Sequence, residues 1–485
     1  MEHQDPDLSE YGSFLKRDNL MVRNPHIIII CIDIGRHDYM SCYGFNKTTT
    51  PHIDRIAQKG VLFKSVISTS PWTIPSHASM FTSLYPFQHK ANWDTLKIRD
   101  GILTIFDIFS RRGYEMVACS ANTILFSPYN IFGDSVKLLN PIKRGHPHLS
   151  IFVDGFNPGE SNSENISNLF IRYIRKYDFS RPLLAYLNFY DLHPKYPCRE
   201  PFISKFISPE AKKVLRDIGD IHRLHFKEMN HKIKITPEII SAIRSFYCAK
   251  LSMIDNDIGR IFKILRQKRV VDNTLLIITS DHGDVLGDHE YPSFHHQFSV
   301  YNSVLNIPLI LHYPNLIKRP NKVEVPLVQN IDILPTVLEV CGLRINSFVE
   351  NTPGKSLVKY IFKNIAPSPR RYATSTYKSP EKLLIRMKER VRPFYLRDLN
   401  AIQDKRYKLI FYKKGCELYD LMQDRNEQKN IAVLYPEKVK FFKNKFRELE
   451  KRYRATNLHK MKSSCYSEDE KNELLKRLKI LGYFE

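Results

Sequence analysis

Residues 27–32 read IIIICI, an unbroken apolar and mostly β-branched run that stops at Asp33. A strand of this composition has no polar face to turn to water, so it belongs inside a parallel sheet covered on both sides. A second run, TLLIITS, has the same character and stops at Asp281. Ligands of open α/β sheets bind outside the carboxyl ends of the strands, so two strands that each end in a carboxylate can bring those carboxylates together.

The chain between and around these runs alternates in the manner of an α/β fold. TPHIDRIAQKGVLF gives a helix with Ile53, Ile56 and Ala57 on one side, ended by Gly60. TIFDIFSRRG is a helix stopping at Gly113 and leading into the strand YEMVACSAN, and LLAYLNFYD is a further strand ending near Asp191. A long helix is expected from Pro237 to about Gln267, with Ile240, Ile243, Phe246, Leu251, Ile254 and Ile258 on its apolar positions. The strand IPLILHYP begins at Ile307, and the helix DILPTVLEVCG closes the large domain near Gly342. The basic stretch of about 200–236 shows no clear period. KRYKLIFYKKGCELYDL reads as a hairpin turned at Lys414 and Gly415, and the stretch from Pro436 onward is Lys- and Glu-rich with helical periodicity. The expected organisation is a tail over 1–24, a catalytic domain over 25–345, a C-terminal subdomain over 346–455 and a helical tail over 456–485.

Bulk properties narrow the class. Hydrophobic content of 42% and aromatic content of 12% belong to a globular protein. The net charge of +23, from 74 Lys and Arg against 51 Asp and Glu, favours an anionic substrate or partner. The basic residues are scattered, and no zinc-finger spacing, RNA-binding aromatic signature or basic zipper goes with them, which argues against nucleic acid. Eight cysteines in 485 residues are no disulfide framework, and Cys31, Cys42, Cys119 and Cys248 sit in or beside apolar runs as free thiols. There is no apolar core of signal-peptide length at the start and no apolar run of transmembrane length, so a cytoplasmic location is expected.

The candidate chemistry centres on Ser70–Pro86, SPWTIPSHASMFTSLYP, a polar turn that runs into a helix with Pro75 in its first turn. Thr73 sits where that helix begins. The free N–H groups and positive dipole end could hold a tetrahedral oxyanion against its hydroxyl, although threonine is also a common N-cap. Asp33, Asp281 and His282 offer two hard oxygens and an imidazole to one divalent metal, which would activate the otherwise poor nucleophile Thr73.

These residues carry a family resemblance. IDIGRHDYMSCYG with TPHIDRIAQKGVLF is similar to the N-terminal metal motif of the sulfatase family within the alkaline phosphatase superfamily. TIPSHASMFTSLYP resembles its nucleophile signature, in which Cys or Ser, any residue, Pro, Ser and Arg open a helix. TSDHGDVLGDH resembles its second metal motif, NIPLILHYP the strand that follows, and CELYDLMQDRNEQKN its C-terminal hairpin. The resemblance runs from Pro25 to about Lys438. It implies an alkaline phosphatase-like α/β fold, with a large mixed, mostly parallel sheet sandwiched by helices and a smaller C-terminal α+β subdomain. It also implies that Asp33, Asp281, His282 and Thr73 hold one divalent ion (calcium in the family, with manganese, magnesium or zinc as alternatives) and that Thr73 is the nucleophile. His193 matches a substrate-contacting histidine, and His296 matches a basic position near the anion or leaving group, with His295 as its neighbour. His77 and Lys195 are assigned to the substrate.

Four departures from the family pattern shape the functional expectation. Thr73 replaces the Cys or Ser that becomes formylglycine, His77 replaces the supporting arginine, and Ile34 replaces the second aspartate of a pair. Ala121 and Asn122 stand where sulfatases carry a lysine and a histidine for the sulfate group. Superfamily members with threonine at the nucleophile position are typically phosphodiesterases and phosphotransferases. The expected activity is therefore hydrolysis or transfer of a small anionic phosphoester through a covalent intermediate. Sulfuric ester hydrolysis is the first alternative, and a catalytically weak basic protein that binds anionic polymers is the second.

Overall fold

The computed structural model describes residues 24–125, 131–133, 135–139, 161–194, 196–229, 231–289, 293, 294, 296, 298–325, 327–349, 351–362, 368–380 and 397–454. The N-terminal tail up to residue 23, the expected helical tail over 456–485, and Lys195 and His295 lie outside them.

The apolar runs become the middle of one large sheet. Its strands are β1 (His26–Ile32), β2 (Val61–Ile67), β3 (Glu115–Ser120), β4 (Lys137–Leu138), β5 (Leu183–Phe189), β6 (Thr274–Thr279), β7 (Asn306–His312), β8 (Asn321–Val323) and β9 (Val328–Gln329). They are ordered β4-β3-β5-β1-β6-β7-β2-β8, with β9 also paired to β2. Only β7 runs against its neighbours, β6 and β2, and the remaining pairs are parallel. Every residue of β1, β5 and β6 is buried, as the loss of any polar alternation requires.

Register then positions the strand ends. Cys31 lies opposite Thr279 on β6, and Ile32 lies opposite Phe189 on β5. Asp33 and Asp281 therefore leave the sheet side by side. Asp33 continues the ladder by one bond, its N–H donating to Phe189 O at 2.9 Å.

Helices cover the sheet in two groups. They include α1 (Pro51–Ala57), α2 (Thr73–Thr82), α3 (Asn162–Lys176), α4 (Pro237–Gln267), α5 (Ile333–Val340) and α6 (Pro436–Arg454). α4 packs on α3 and α1, whereas α2 packs on α5. The basic stretch that lacks a clear period is built from short helices, Phe202–Phe206, Pro209–Ile218 and Leu224–Met229, the first two against α4. Ser208 caps the second of them by accepting the Ala211 N–H at 3.2 Å. No helix among the described residues is long and apolar enough to cross a membrane.

β2 has no counterpart in the sequence-based expectation. Its apolar positions are interrupted by exposed Lys64 and half-buried Ser65, and its pairing to β7 shifts register between Phe63 and Val66. A bulge of this kind breaks the alternation that marks a strand in sequence.

The second sheet is antiparallel, in the order β10 (Ala373–Tyr377), β11 (Leu399–Gln403), β12 (Tyr407–Tyr412) and β13 (Gly415–Asp420). The β12–β13 hairpin turns at Lys413 and Lys414, one residue before the expected turn, because Tyr412 pairs directly with Gly415. Ala401 faces the main core, while its neighbour Ile402 joins Leu409, Leu418 and, from α6, Phe442 and Phe446. β10 is tied to the segment before α2: Thr376 N–H donates to Thr69 O at 2.9 Å and Ser375 Oγ donates to Ser68 O at 2.6 Å. Buried Lys408 bridges Glu427 at 2.7 Å and Asn302 Oδ1 at 2.9 Å, so the small sheet is also fastened to the helical turn Asn302–Leu305 that precedes β7.

Candidate active site

Four neighbouring strands deliver side chains to one point. Asp33 follows β1, Asp281 and His282 follow β6, His193 follows β5 and Asn122 follows β3. Asp33, Asp281 and His282 are completely buried, and one ligand atom from each lies within 4.8 Å of the others. His282 Nε2 is 3.3 Å from Asp281 Oδ2 and 4.0 Å from Asp33 Oδ1.

The turn after β1 is strained. Ile34 has φ of +52°, a left-handed conformation that costs a β-branched residue energy, and the site holds it there. Its N–H faces Asp281 Oδ1 at 3.4 Å, and its carbonyl accepts from Tyr247 Oη at 2.8 Å. The Ile34 side chain enters the core, so this position contributes no second carboxylate.

The donor set suits a cation. His282 Nδ1 donates to Gly283 O at 2.9 Å, which leaves the lone pair on Nε2. Burial holds its imidazole down to about 4, with Asp33 opposing, so it is neutral at ordinary pH. Asp281 Oδ2 and His282 Nε2 are both buried without a hydrogen-bond partner. Burial pushes the Asp281 carboxyl well above the usual range, and the charge of Asp33 beside it adds to the effect. Burial also raises Asp33, but the hydrogen bond and charge of His193 outweigh it and leave Asp33 lowered. Two adjoining buried carboxylates with an orphaned oxygen and an imidazole lone pair lack one thing, a positive charge, which a divalent ion would supply.

Thr73 is the first residue of α2, and the N-cap position is taken by Trp72, which is in extended geometry and stacks on Trp93 at 4.1 Å. The Thr73 hydroxyl is therefore not used as a cap. It lies 3.5 Å from Asn122 Nδ2, and the same nitrogen donates to Asp33 Oδ2 at 3.0 Å. Asn122 Oδ1 accepts the Ile124 N–H at 3.2 Å, which fixes which end of the amide faces the site. Sequence reasoning passed over Asn122 as the place of missing anion contacts; its amide links the hydroxyl to the carboxylate.

His77 lies one turn below Thr73, fully buried, with both ring nitrogens engaged. Nδ1 faces Thr73 O at 2.8 Å and Nε2 pairs with Tyr186 Oη. A carbonyl can only accept, so Nδ1 carries the proton, and burial holds the ring down to about 4. His77 Nδ1 is also 3.6 Å from Asp281 Oδ2.

His193 and His296 both reach the site. His193 Nε2 donates to Asp33 Oδ1 at 3.1 Å, and its carbonyl accepts from buried Lys250 Nζ at 2.7 Å. The His296 ring lies 4.4 Å from that of His282 and 5.7 Å from that of His193, with Nδ1 at 3.5 Å from Asp284 Oδ1. Lys195 falls outside the described residues.

A family model described as Sulfatase matches residues 25–343, about two thirds of the chain. The chain belongs to the sulfatase family. A second model, described as N-sulphoglucosamine sulphohydrolase, C-terminal, matches residues 287–454 of this sulfatase-family chain. Among curated relatives it is 24% identical to an ulvan-active sulfatase of Formosa agariphila, over 87% of this chain and 78% of that one. It is 21% identical to PehA of Trinickia caryophylli, described as a multifunctional alkaline phosphatase superfamily protein, over 84% and 91%. Its fold matches a phosphonate monoester hydrolase of Agrobacterium radiobacter with a TM-score of 0.69 at 20% identity, covering 88% of this chain and 96% of that structure. The family is one of ester hydrolases, so the chain is an enzyme acting on ester bonds, with an alkaline phosphatase-like sheet as expected. The buried Asp33, Asp281 and His282 group is consistent with the family's metal site.

Proposed function

We propose that this chain is a metal-dependent hydrolase or transferase of small anionic phosphoesters, mono- or diesters, with Thr73 as nucleophile. The carrying observation is an uncapped threonine hydroxyl at a helix N-terminus, coupled through Asn122 to Asp33 in the buried carboxylate and histidine cluster. Asp33, Asp281, His282 and the Thr73 hydroxyl would hold one divalent ion, whose charge favours the alkoxide of Thr73 and offsets charge on the transferred group. Calcium, by family resemblance, and manganese, magnesium or zinc all suit this set of ligands.

The protein's own groups then divide the work. Thr73 Oγ1 gives its proton to a water and attacks phosphorus, the bond from phosphorus to the leaving oxygen breaks, and His193 or His296 gives that oxygen a proton. A water, deprotonated by the same imidazole, attacks the phosphothreonine. The phosphorus–Oγ1 bond breaks, and Oγ1 takes a proton from water, which restores the threonine hydroxyl. The N–H groups of Thr73 and Ile74 at the start of α2, where Pro75 offers none, and Asn122 Nδ2 would bind the non-bridging oxygens. His77, with both nitrogens engaged inside the protein, positions the α2 turn rather than touching substrate. Asp284 and Lys250 orient His296 and His193.

Sulfuric ester hydrolysis is the second reading, favoured by family membership. An aryl phosphate, a bis-aryl phosphate and an aryl sulfate assayed side by side, with elemental analysis of the protein, separate the two. The expected result is phosphoester turnover that Thr73→Ala abolishes while metal content persists. Turnover of the sulfate alone, or full activity in Thr73→Ala, overturns the proposal.

A further inference from the structure

The large apolar side chains most exposed among the described residues are Met422, Val433, Leu434, Tyr435 and Phe441, and four of these five lie between Val433 and Phe441. Val433 is 91% exposed and Leu434 67%. The backbone turns outward there: Leu434 N–H donates to Ile431 O at 3.0 Å and Tyr435 N–H to Ala432 O at 3.3 Å, immediately before α6 begins at Pro436. The core does not need these side chains. α6 already fills its contact with the small sheet through Phe442 and Phe446, with Val439 and Leu449 beside them. A protruding apolar tip on a folded domain marks a surface that something else covers.

The surroundings of the tip are cationic. Nine Lys and Arg face three Glu between Lys429 and Arg454. Lys440, Arg447 and Lys451 are all exposed and recur at helical spacing, which lines them up along α6 next to the face that carries Phe441. Lys445 Nζ sits 5.7 Å from the Phe441 ring, and Lys438 Nζ 4.4 Å from the Tyr407 ring.

We propose that the Val433–Tyr435 tip, with Phe441 and the basic row of α6, is a docking surface for an anionic phospholipid membrane. The tip is shaped to enter the headgroup region, and the lysines and arginines that run along α6 away from it meet the lipid phosphates and carboxylates. Either signal alone gives weak binding; the two together give a stable peripheral association. Nucleic acid would engage the basic row but leaves Val433 and Leu434 without a role. A second copy of the chain, related by a two-fold axis, would set the basic row against itself. This inference is independent of the chemistry proposed for Thr73.

Cosedimentation of the full chain with vesicles of about three parts phosphatidylcholine to one part phosphatidylserine, against phosphatidylcholine alone, tests it. The protein is expected to bind the anionic vesicles only, and to release at about 0.5 M salt. V433D/L434D and the charge variant K440E/R447E/K451E should each weaken binding roughly tenfold or more, with melting and ester turnover unchanged. The proposal is overturned by no vesicle binding, by equal binding to neutral vesicles, or by variants that bind as the parent does. It is equally overturned if duplex DNA is bound in place of vesicles and V433D/L434D leaves that intact, or if the tip proves to hold a dimer that V433D/L434D dissociates without any affinity for lipid.

Discussion

Asn122→Ala removes a side chain that touches both Thr73 and Asp33. The Nδ2 contact to Asp33 Oδ2, at 3.0 Å, is a hydrogen bond to a charged acceptor, whereas the 3.5 Å contact to Thr73 Oγ1 is at the limit of such bonds. A hydrogen bond to a charged group contributes about 1.5–3 kcal/mol, and the long contact adds little. Carried fully into the transition state, that loss lowers kcat/KM by roughly 10- to 150-fold. Asn122→Asp should cost more, because a second carboxylate then faces Asp33 in a buried site. The assay is kcat/KM on an aryl phosphodiester, alongside metal content and melting temperature for each variant. A kcat/KM within about twofold of the parent, at equal metal content, refutes the role assigned to Asn122. A fall in activity that only follows a fall in metal content would show that Asn122 acts by holding Asp33 and not by contacting the reacting group.

Three further outcomes are expected. Lys408→Met leaves Glu427 buried without its partner and should destabilise the chain by about 3–5 kcal/mol in urea unfolding, while K408M/E427L recovers most of that; a single variant within about 1 kcal/mol of the parent refutes it. His89 is held down to about 3 by burial, and its Nδ1 accepts the Ala91 N–H at 3.1 Å, so the unfolded chain takes up this proton first. Its contribution to stability is constant above pH ~6.5 and falls by about 1.4 kcal/mol per unit as pH drops below that toward the folded value, so His89→Gln should flatten the slope of stability between pH ~6 and ~4. An unchanged slope would remove His89 from the account. Divalent metal at about 100 times its Kd should stabilise the protein by ~2.7 kcal/mol, and Asp281→Asn should erase that shift in a thermal melt; a shift that survives places the ion elsewhere.

Much of the scaffold was legible in the chain. IIIICI and TLLIITS become β1 and β6, the helix expected from Pro237 to Gln267 has those bounds, and the two terminal aspartates meet as strand-end carboxylates. Each of these depends on burial alone, and burial is written locally, as a run or a period of apolar residues. Other features were not visible. β2 hides behind its bulge, and nothing around Ile34 announces a left-handed turn held by Tyr247 and Asp281. His77 reads as a substrate ligand until Thr73 O and Tyr186 are seen to take both its nitrogens. Asn122 and Asp33 are 89 residues apart, and only the side-by-side order of β3, β5 and β1 brings them within 3.0 Å. Which segments are buried and which residues end the strands is written in the local order of residues, because both depend on side-chain hydrophobicity along a few turns of chain. Strand order and register decided which polar groups face one another, because hydrogen bonds and ion pairs form only at distances that the assembled sheet sets.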